Sequence, residues 1–255
     1  MCPKITYICV YNNEALLNNM LIKSLKHINI GRDKAFFNTL LIDNTQRAYK
    51  SYAEACNYEI KKHINEIGDI LIFLHQDIAF DNDIFQNRII QELQSIPNQL
   101  VGFAGMPSTG KTISNLKYQL TKQYITTTQI REKTEVLSLD ECIFAMCKNL
   151  YLKLLFDEKT CTNWHLYAAD ICYEAKRQLG IKSYVLPESI YHKYDGTTGL
   201  YVDRYFLWTM WKMVRKYRHD YDIIYTPSYI VSTQRHTALL KFIRSIIRNL
   251  IRHQL

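Results

Sequence analysis

Proline and glycine are scarce in this chain of 255 residues, which has 5 Pro and 8 Gly. So few helix and strand breakers argue against a long disordered linker. No cysteine pair has the Cys-x-x-Cys spacing of a zinc site, and the seven cysteines are scattered and odd in number. Reduced, mostly buried thiols in a reducing compartment are the expectation. No run reaches the roughly 18 uncharged apolar residues of a spanning helix. The opening MCPKITYICVYNNE reads as a strand entering a loop rather than a charged leader. A cytoplasmic protein follows, either soluble or peripheral on the inner face of the membrane. No internal repeat is evident.

What is present fits one large domain with a modest appendage. Hydrophobic residues make up 47% and charged residues 22%, enough apolar content for a sizeable core. The net charge of +8 favours anionic partners without choosing among nucleic acid, lipid and phosphorylated small molecules. Ile5 to Val10 is a short β-branched run ending at Tyr11-Asn12-Asn13. Glu14 to His27 has helical period through Leu16, Leu17, Met20, Leu21 and Leu25. Phe37 to Ile42 is a second strand, Tyr49 to Ile64 a second helix, and Asp69 to Leu74 a third strand. The third strand is apolar without alternation, as expected when both faces are covered.

Strand, helix, strand, helix, strand predicts a parallel sheet with right-handed crossovers. Ligands of such sheets bind beyond the carboxyl ends of the strands. Those ends carry Tyr11-Asn12, Asp43-Asn44 and His75-Gln76-Asp77, three polar groups along one rim. Further on, the pattern predicts a strand over 101–104, a polar loop or flap over 114–135 and a bent strand or strand pair over 136–146. A helix over 168–179 closed by Gly180 and a strand over 181–185 follow, before a loop with His192. Asp77 leaves an apolar strand at the rim, with Asp81 and Asp83 beyond it. A carboxylate there can hold Mg²⁺ or Mn²⁺ against a pyrophosphate, or simply cap the next helix.

The segments VYNN, LLIDN, YAEACNYEI and LIFLHQDI, followed by VGFAG, FDE, WHLYAADIC and IYHKYDG, span residues 5–196. In that order they resemble the GT-A glycosyltransferases of the large inverting family 2. The likeness is to a bacterial branch with His-Gln-Asp in place of the Asp-x-Asp metal motif. The resemblance implies a Rossmann-like α/β domain over 1–205 with a mostly parallel central sheet. A basic helical extension over 206–255 would follow. It implies transfer from a nucleoside-diphosphate sugar, UDP before GDP or dTDP, to a saccharide or lipid-linked acceptor in cell-surface polysaccharide synthesis.

Carried over by residue, Tyr11 and Asn12 would line the nucleotide base. Asp43 would contact the base edge or ribose, and Asn57 the ribose-diphosphate region. Asn44, His75 and Gln76 would complete the donor site. Asp77 and His192 would bind Mn²⁺ or Mg²⁺. Asp170 would be the catalytic base, although its place in the first turn of a helix equally suits a structural carboxylate. The chain departs from the family pattern at Asp140-Glu141-Cys142, where Asp-Gly is usual. Trp164 and His165 could meet a sugar or pack in the core.

Two other features compete. Residues 105–112, GMPSTGKT, satisfy the P-loop pattern after the strand VGFA, and VLSLDE resembles a Walker B strand. That alternative, a nucleotide hydrolase or kinase, needs a helix opening directly after Thr112. In ALLKFIRSIIRNLIRHQL, Leu239, Leu240, Ile243, Ile246, Ile247, Leu250 and Ile251 share one helical face. Lys241, Arg244, Arg248 and Arg252 share the other. Such a helix suits an anionic membrane surface, here through residues 238–255, or packing on the domain. No nucleic acid is expected, because the basic run WTMWKMVRKYRH has no RNA-binding signature beside it.

Overall fold

The computed structural model describes residues 3–28, 37–126, 128–193 and 202–253. Strand β1 (Ile5–Tyr11) leads through Asn13 into α1 (Glu14–Leu17), a π-helical turn (Asn18–Ile22) and α2 (Lys23–Ile28). The Asn13 side chain accepts from the Leu16 N–H and starts the helix. Strand β2 (Phe37–Asp43), helix α3 (Tyr52–Lys62) and strand β3 (Ile70–Leu74) complete the expected βαβαβ unit. Helix α3 starts three residues later than the periodicity alone predicts. Ser51 accepts from the Glu54 N–H while Glu54 accepts from the Lys50 N–H, which places the cap there.

Then come β4 (Ile78–Ala79), α4 (Ile84–Ser95), β5 (Leu100–Gly102), β6 (Ala104–Met106), β7 (Ile113–Ser114) and β8 (Lys117–Tyr118). Strands β9 (Thr134–Val136), β10 (Ser138–Leu139) and β11 (Ile143–Cys147) precede α5 (Lys148–Leu154) and α6 (Tyr167–Leu179). The chain continues through β12 (Ser183–Val185), β13 (Tyr191–His192), α7 (Arg204–Tyr217), β14 (Ile223–Thr226), β15 (Tyr229–Ser232) and α8 (Arg235–His253). Gly180 closes α6 in the left-handed region, φ 65°, as its position predicted.

The central sheet has seven strands in the order β2-β1-β3-β11-β5-β12-β9. Strands β2, β1, β3, β5 and β12 run one way, and β11 and β9 run against them. All five side chains of β3 are buried. Leu71 and Phe73 face one core with α3, α5 and α6, while Ile70, Ile72 and Leu74 face the other with α1, α2 and α4. Each such side chain contributes about 1.5–3 kcal/mol over its exposed state. The uninterrupted apolar run is thus explained by two covered faces.

A third core joins Leu166, Ala169 and Tyr173 of the α6 region to Phe206, Met210 and Val214 of α7, Ile224 and Val231 of the β14–β15 hairpin, and Ala238 and Phe242 of α8. The expected boundary after residue 205 falls inside the first turn of α7, and the extension holds a hairpin as well as helices.

The P-loop alternative is not built. Gly105 pairs with Ile113 across an antiparallel β6–β7 hairpin. Gly110 takes φ 76° in its turn and donates to the Pro107 carbonyl. Ile113 begins a strand, so no helix N-terminus follows the loop, and Thr112 donates its hydroxyl to the Pro227 carbonyl. Three short strands, β7, β8 and the start of β9, interrupt the otherwise irregular stretch over 114–135.

Candidate metal centre and cleft

The parallel register aligns the three strand ends. Tyr11 lies opposite Asp43, and the Asn44 N–H donates to the Tyr11 carbonyl. Gln76 then clasps the β1 loop to the β3 loop. Its Oε1 accepts from the Asn12 and Asn13 N–H groups at 3.1 and 3.0 Å, and its Nε2 donates to Asn12 Oδ1 at 2.7 Å. The side chain expected to touch the donor is therefore engaged in holding the β1 loop to the β3 loop.

Across β3, the His75 N–H donates to the Cys142 carbonyl, and its Nε2 bonds the Tyr167 hydroxyl at 3.0 Å. That leaves Nδ1 as its second nitrogen. Strand β13 pairs antiparallel with β4, placing His192 opposite Ile78 and beside Asp77. His75, Asp77 and His192 thereby converge, with one potential ligand atom from each lying within 4.8 Å of the others. His192 Nε2 sits 3.3 Å from Asp77 Oδ2 and is buried without a hydrogen-bond partner.

The electrostatics of the group are mutual. Burial pushes the His75 pKa down against the pull of Asp77. Burial alone would raise Asp77, but the His192 and His75 rings hold it below the usual carboxylate range. His192 is raised because Asp77 outweighs its burial. Two imidazoles and one carboxylate with an orphaned buried nitrogen form a donor set that fits a divalent transition ion.

Beside this group opens a cleft of about 830 Å³, in the size range of small-ligand sites. Tyr11, Asn12, Asn44, His75, Gln76 and Asp77 line it, as do Trp164 and Tyr167. Asp43 stands at the end of β2, fully exposed, with its carboxylate accepting from the Thr45 N–H and held below its ordinary pKa chiefly by that bond. Sequence reasoning missed Arg47, Tyr49, Lys50 and Tyr52, which also line the cleft. Their signal was proximity to the β2 end and two cations within four residues. Arg47 adopts φ 55°, an uncommon conformation for a side-chain-bearing residue, in the turn that follows Asn44.

Three residues expected to meet the donor or act as base do not line this cleft: Asp43 stands outside its wall at the end of β2, and Asn57 and Asp170 are engaged elsewhere. Asn57 spends its amide on the 151–158 segment, donating to the Phe156 carbonyl and Glu158 while accepting from Tyr151 and the Phe156 N–H. Asp170 is 2% exposed in α6. Both its carboxylate oxygens bond Lys216 Nζ at 3.0 Å, and Tyr217 donates to Oδ1 at 2.8 Å. The same ammonium reaches Asp157 at 2.9 Å and Glu174 at 3.2 Å. Burial raises the Asp170 pKa to about 6 despite Lys216. Asp81 and Asp83 lie outside the metal group, and Tyr194, Asp195 and Gly196 of IYHKYDG fall outside the described residues.

No protein-family model and no curated protein matches the sequence. Solved structures do match in fold. GalNAc-T7 with UDP, GalNAc and Mn²⁺ superposes with a TM-score of 0.51 and 10% identity, covering 85% of this chain and 48% of that one. The mannosyltransferase PcManGT from Pyrobaculum calidifontis, in complex with GDP-Man and Mn²⁺, gives 0.57 and 13%, covering 87% and 66%. The chain thus spans about half the length of the first and just under two thirds of the second. With its mixed sheet of mostly codirectional strands, this chain has the fold of the GT-A glycosyltransferases.

Proposed function

We propose that the chain transfers a sugar from a nucleoside-diphosphate sugar to a saccharide or lipid-linked acceptor, with Mn²⁺ as cofactor. The observation that carries this reading is the His75–Asp77–His192 group, of which His75 and Asp77 line a cleft on the strand-end rim. Two imidazoles favour Mn²⁺ over Mg²⁺, which prefers oxygen alone. The ion would neutralise the donor's diphosphate and stabilise the departing nucleotide. Tyr11, Asn12 and Asn44 would hold the base and ribose, and Arg47 and Lys50 would meet phosphate charge. UDP-sugar is the donor the sequence resemblance favours, and the GDP-Man complex of PcManGT keeps GDP on the panel.

Inversion by direct displacement needs only one proton-accepting carboxylate in addition to the ion. A lipid-linked acceptor in cell-surface polysaccharide synthesis fits the surface of α8. Leu239, Leu240, Ile243 and Ile246 are exposed beside Arg244, a pattern suited to the anionic inner membrane face. Among the described residues no helix is long and apolar enough to cross a membrane. Calorimetry across UDP-, GDP- and dTDP-sugars, with and without Mn²⁺, tests the reading. Binding of one donor that requires Mn²⁺ is expected, and preference for ATP would contradict it.

A further inference from the structure

Behind the metal group stands a single hydroxyl, that of Tyr167, the first residue of α6. Leu166 precedes it in the left-handed conformation, φ 68°, uncommon for a bulky side chain. The Tyr167 ring is 1% exposed and is enclosed by other rings. It stacks on Tyr52, with centroids 3.7 Å apart and planes 8° apart. Phe156 meets it edge-on at 5.7 Å, and Phe144 lies tilted against it at 6.2 Å. A ring so enclosed cannot swing to another rotamer without displacing its neighbours. Packing thus fixes where the hydroxyl stands.

That hydroxyl has two polar neighbours, His75 Nε2 at 3.0 Å and the Glu141 carbonyl at 3.4 Å. A carbonyl can only accept, and a phenol has one hydrogen to give. The arrangement that satisfies all three groups has Tyr167 donating to the carbonyl and accepting from the Nε2–H of His75. The reverse arrangement, with Tyr167 donating to Nε2, takes this donor from the carbonyl. A neutral imidazole with its hydrogen on Nε2 carries its lone pair on Nδ1. The main chain of His75 is held by the same turn. Its N–H donates at 2.9 Å to the carbonyl of Cys142, the residue after Glu141. The turn between β10 and β11 therefore anchors both the backbone of His75 and the hydroxyl behind its ring.

We infer that Tyr167 is a positioning residue for the metal: it keeps the hydrogen of His75 on Nε2, so that the ring meets the ion through Nδ1. The inference rests on the reading under Proposed function. The partner of a ligand histidine's second nitrogen sets its tautomer and ring angle, and losing that partner weakens metal binding by about 10–100-fold. Tyr151 supplies a control within the same aromatic core. Its ring lies 5.3 Å from that of Phe156, and its hydroxyl donates to Asn57 Oδ1 at 2.7 Å instead of to a metal-group side chain.

The test titrates Mn²⁺ into the full chain at a saturating concentration of its best-bound sugar nucleotide, reading bound ion from the loss of the free-ion paramagnetic resonance signal. Tyr167→Phe keeps the ring and its stack but removes the hydroxyl, and its Mn²⁺ affinity should fall by about 10–100-fold. Tyr151→Phe should bind the ion as the parent does. Long-range ¹H–¹⁵N correlation of the histidine rings, with diamagnetic Zn²⁺ in place of Mn²⁺, reads the tautomer directly. His75, assigned by the signals missing from His75→Gln, should carry its hydrogen on Nε2 and bind the ion through Nδ1. A merely structural hydroxyl would lower the melting temperature without selecting a nitrogen. Parent-like Mn²⁺ affinity in Tyr167→Phe, equal weakening in Tyr151→Phe, or a His75 bound through Nε2 overturns the inference. If Tyr167→Phe melts early, the nitrogen assignment in the parent decides alone. A parent that binds neither ion would instead remove the reading on which the inference rests.

Discussion

Replacing Lys216 with methionine should destabilise the protein more than any other single change to a charged side chain outside the cleft. The ammonium lies 3.0 Å from Asp170, 2.9 Å from Asp157 and 3.2 Å from Glu174, and it joins α7 to α6 and to the 157 turn. It is one positive charge serving three carboxylates, of which Asp170 is 2% exposed. Removing one partner of a buried pair costs about 3–5 kcal/mol, because the other charge stays behind unpaired. For a domain of this size about 1 kcal/mol corresponds to roughly 2–4 °C. A fall in melting temperature of about 6–20 °C is therefore expected by scanning calorimetry at pH 8.

The loss should depend on pH with a definite sign. Asp170 already titrates at about 6 in the presence of Lys216, above its unfolded value. Without Lys216 its folded pKa rises further. An acid whose pKa is raised on folding binds more protons in the native state, so it stabilises at low pH and costs stability as pH rises. The gap between Lys216→Met and the parent should be widest near pH 8.5 and narrow toward pH 6. A variant melting within 2 °C of the parent at pH 8, or a gap that widens on acidification, would refute the reasoning.

Two further outcomes are expected. Lys111→Ala should leave sugar-nucleotide affinity unchanged within about threefold by calorimetry, because Lys111 is exposed at a hairpin tip, whereas a P-loop lysine is a principal phosphate contact. Replacing Leu240, Ile243 and Ile246 together by serine should abolish flotation with anionic liposomes while the melting temperature holds. These side chains are exposed, whereas Ala238 and Phe242 of the same helix are buried, so deleting the whole helix would confound docking with stability.

The first half of the fold could be read from sequence because its determinants are local. An uninterrupted apolar β3 needs two covered faces, and the polar residues closing β1, β2 and β3 fall on one rim once the strands are parallel. Helix α4 was legible in principle, through Phe85, Ile89 and Leu93 at helical spacing, but its short polar lead-in hid the start. The rest depends on partners far along the chain. His192 reaches Asp77 only through the β4–β13 pairing, which no periodicity announces. Asp170 looks like a helix-start carboxylate until Lys216, 46 residues later, is folded onto it. Asn57 lies at a sequence distance of 99 from the backbone of Phe156 that it holds. GMPSTGKT satisfies a phosphate-binding pattern in letters, yet pairing of Gly105 with Ile113 turns the same residues into a hairpin.

The central claim is that His75, Asp77 and His192 form one metal site serving a sugar-nucleotide cleft. Titration of Mn²⁺ into the protein in the presence of the best-bound sugar nucleotide, followed by the loss of the free-ion paramagnetic resonance signal, tests it most directly. The parent should bind close to one ion per chain. Asp77→Ala and His192→Ala should each weaken that binding by at least about tenfold, a scale that loss of a mere supporting contact to a ligand already reaches. Both variants should lose Mn²⁺-dependent donor affinity while melting near the parent temperature. Unchanged ion stoichiometry and affinity in either variant would contradict the claim.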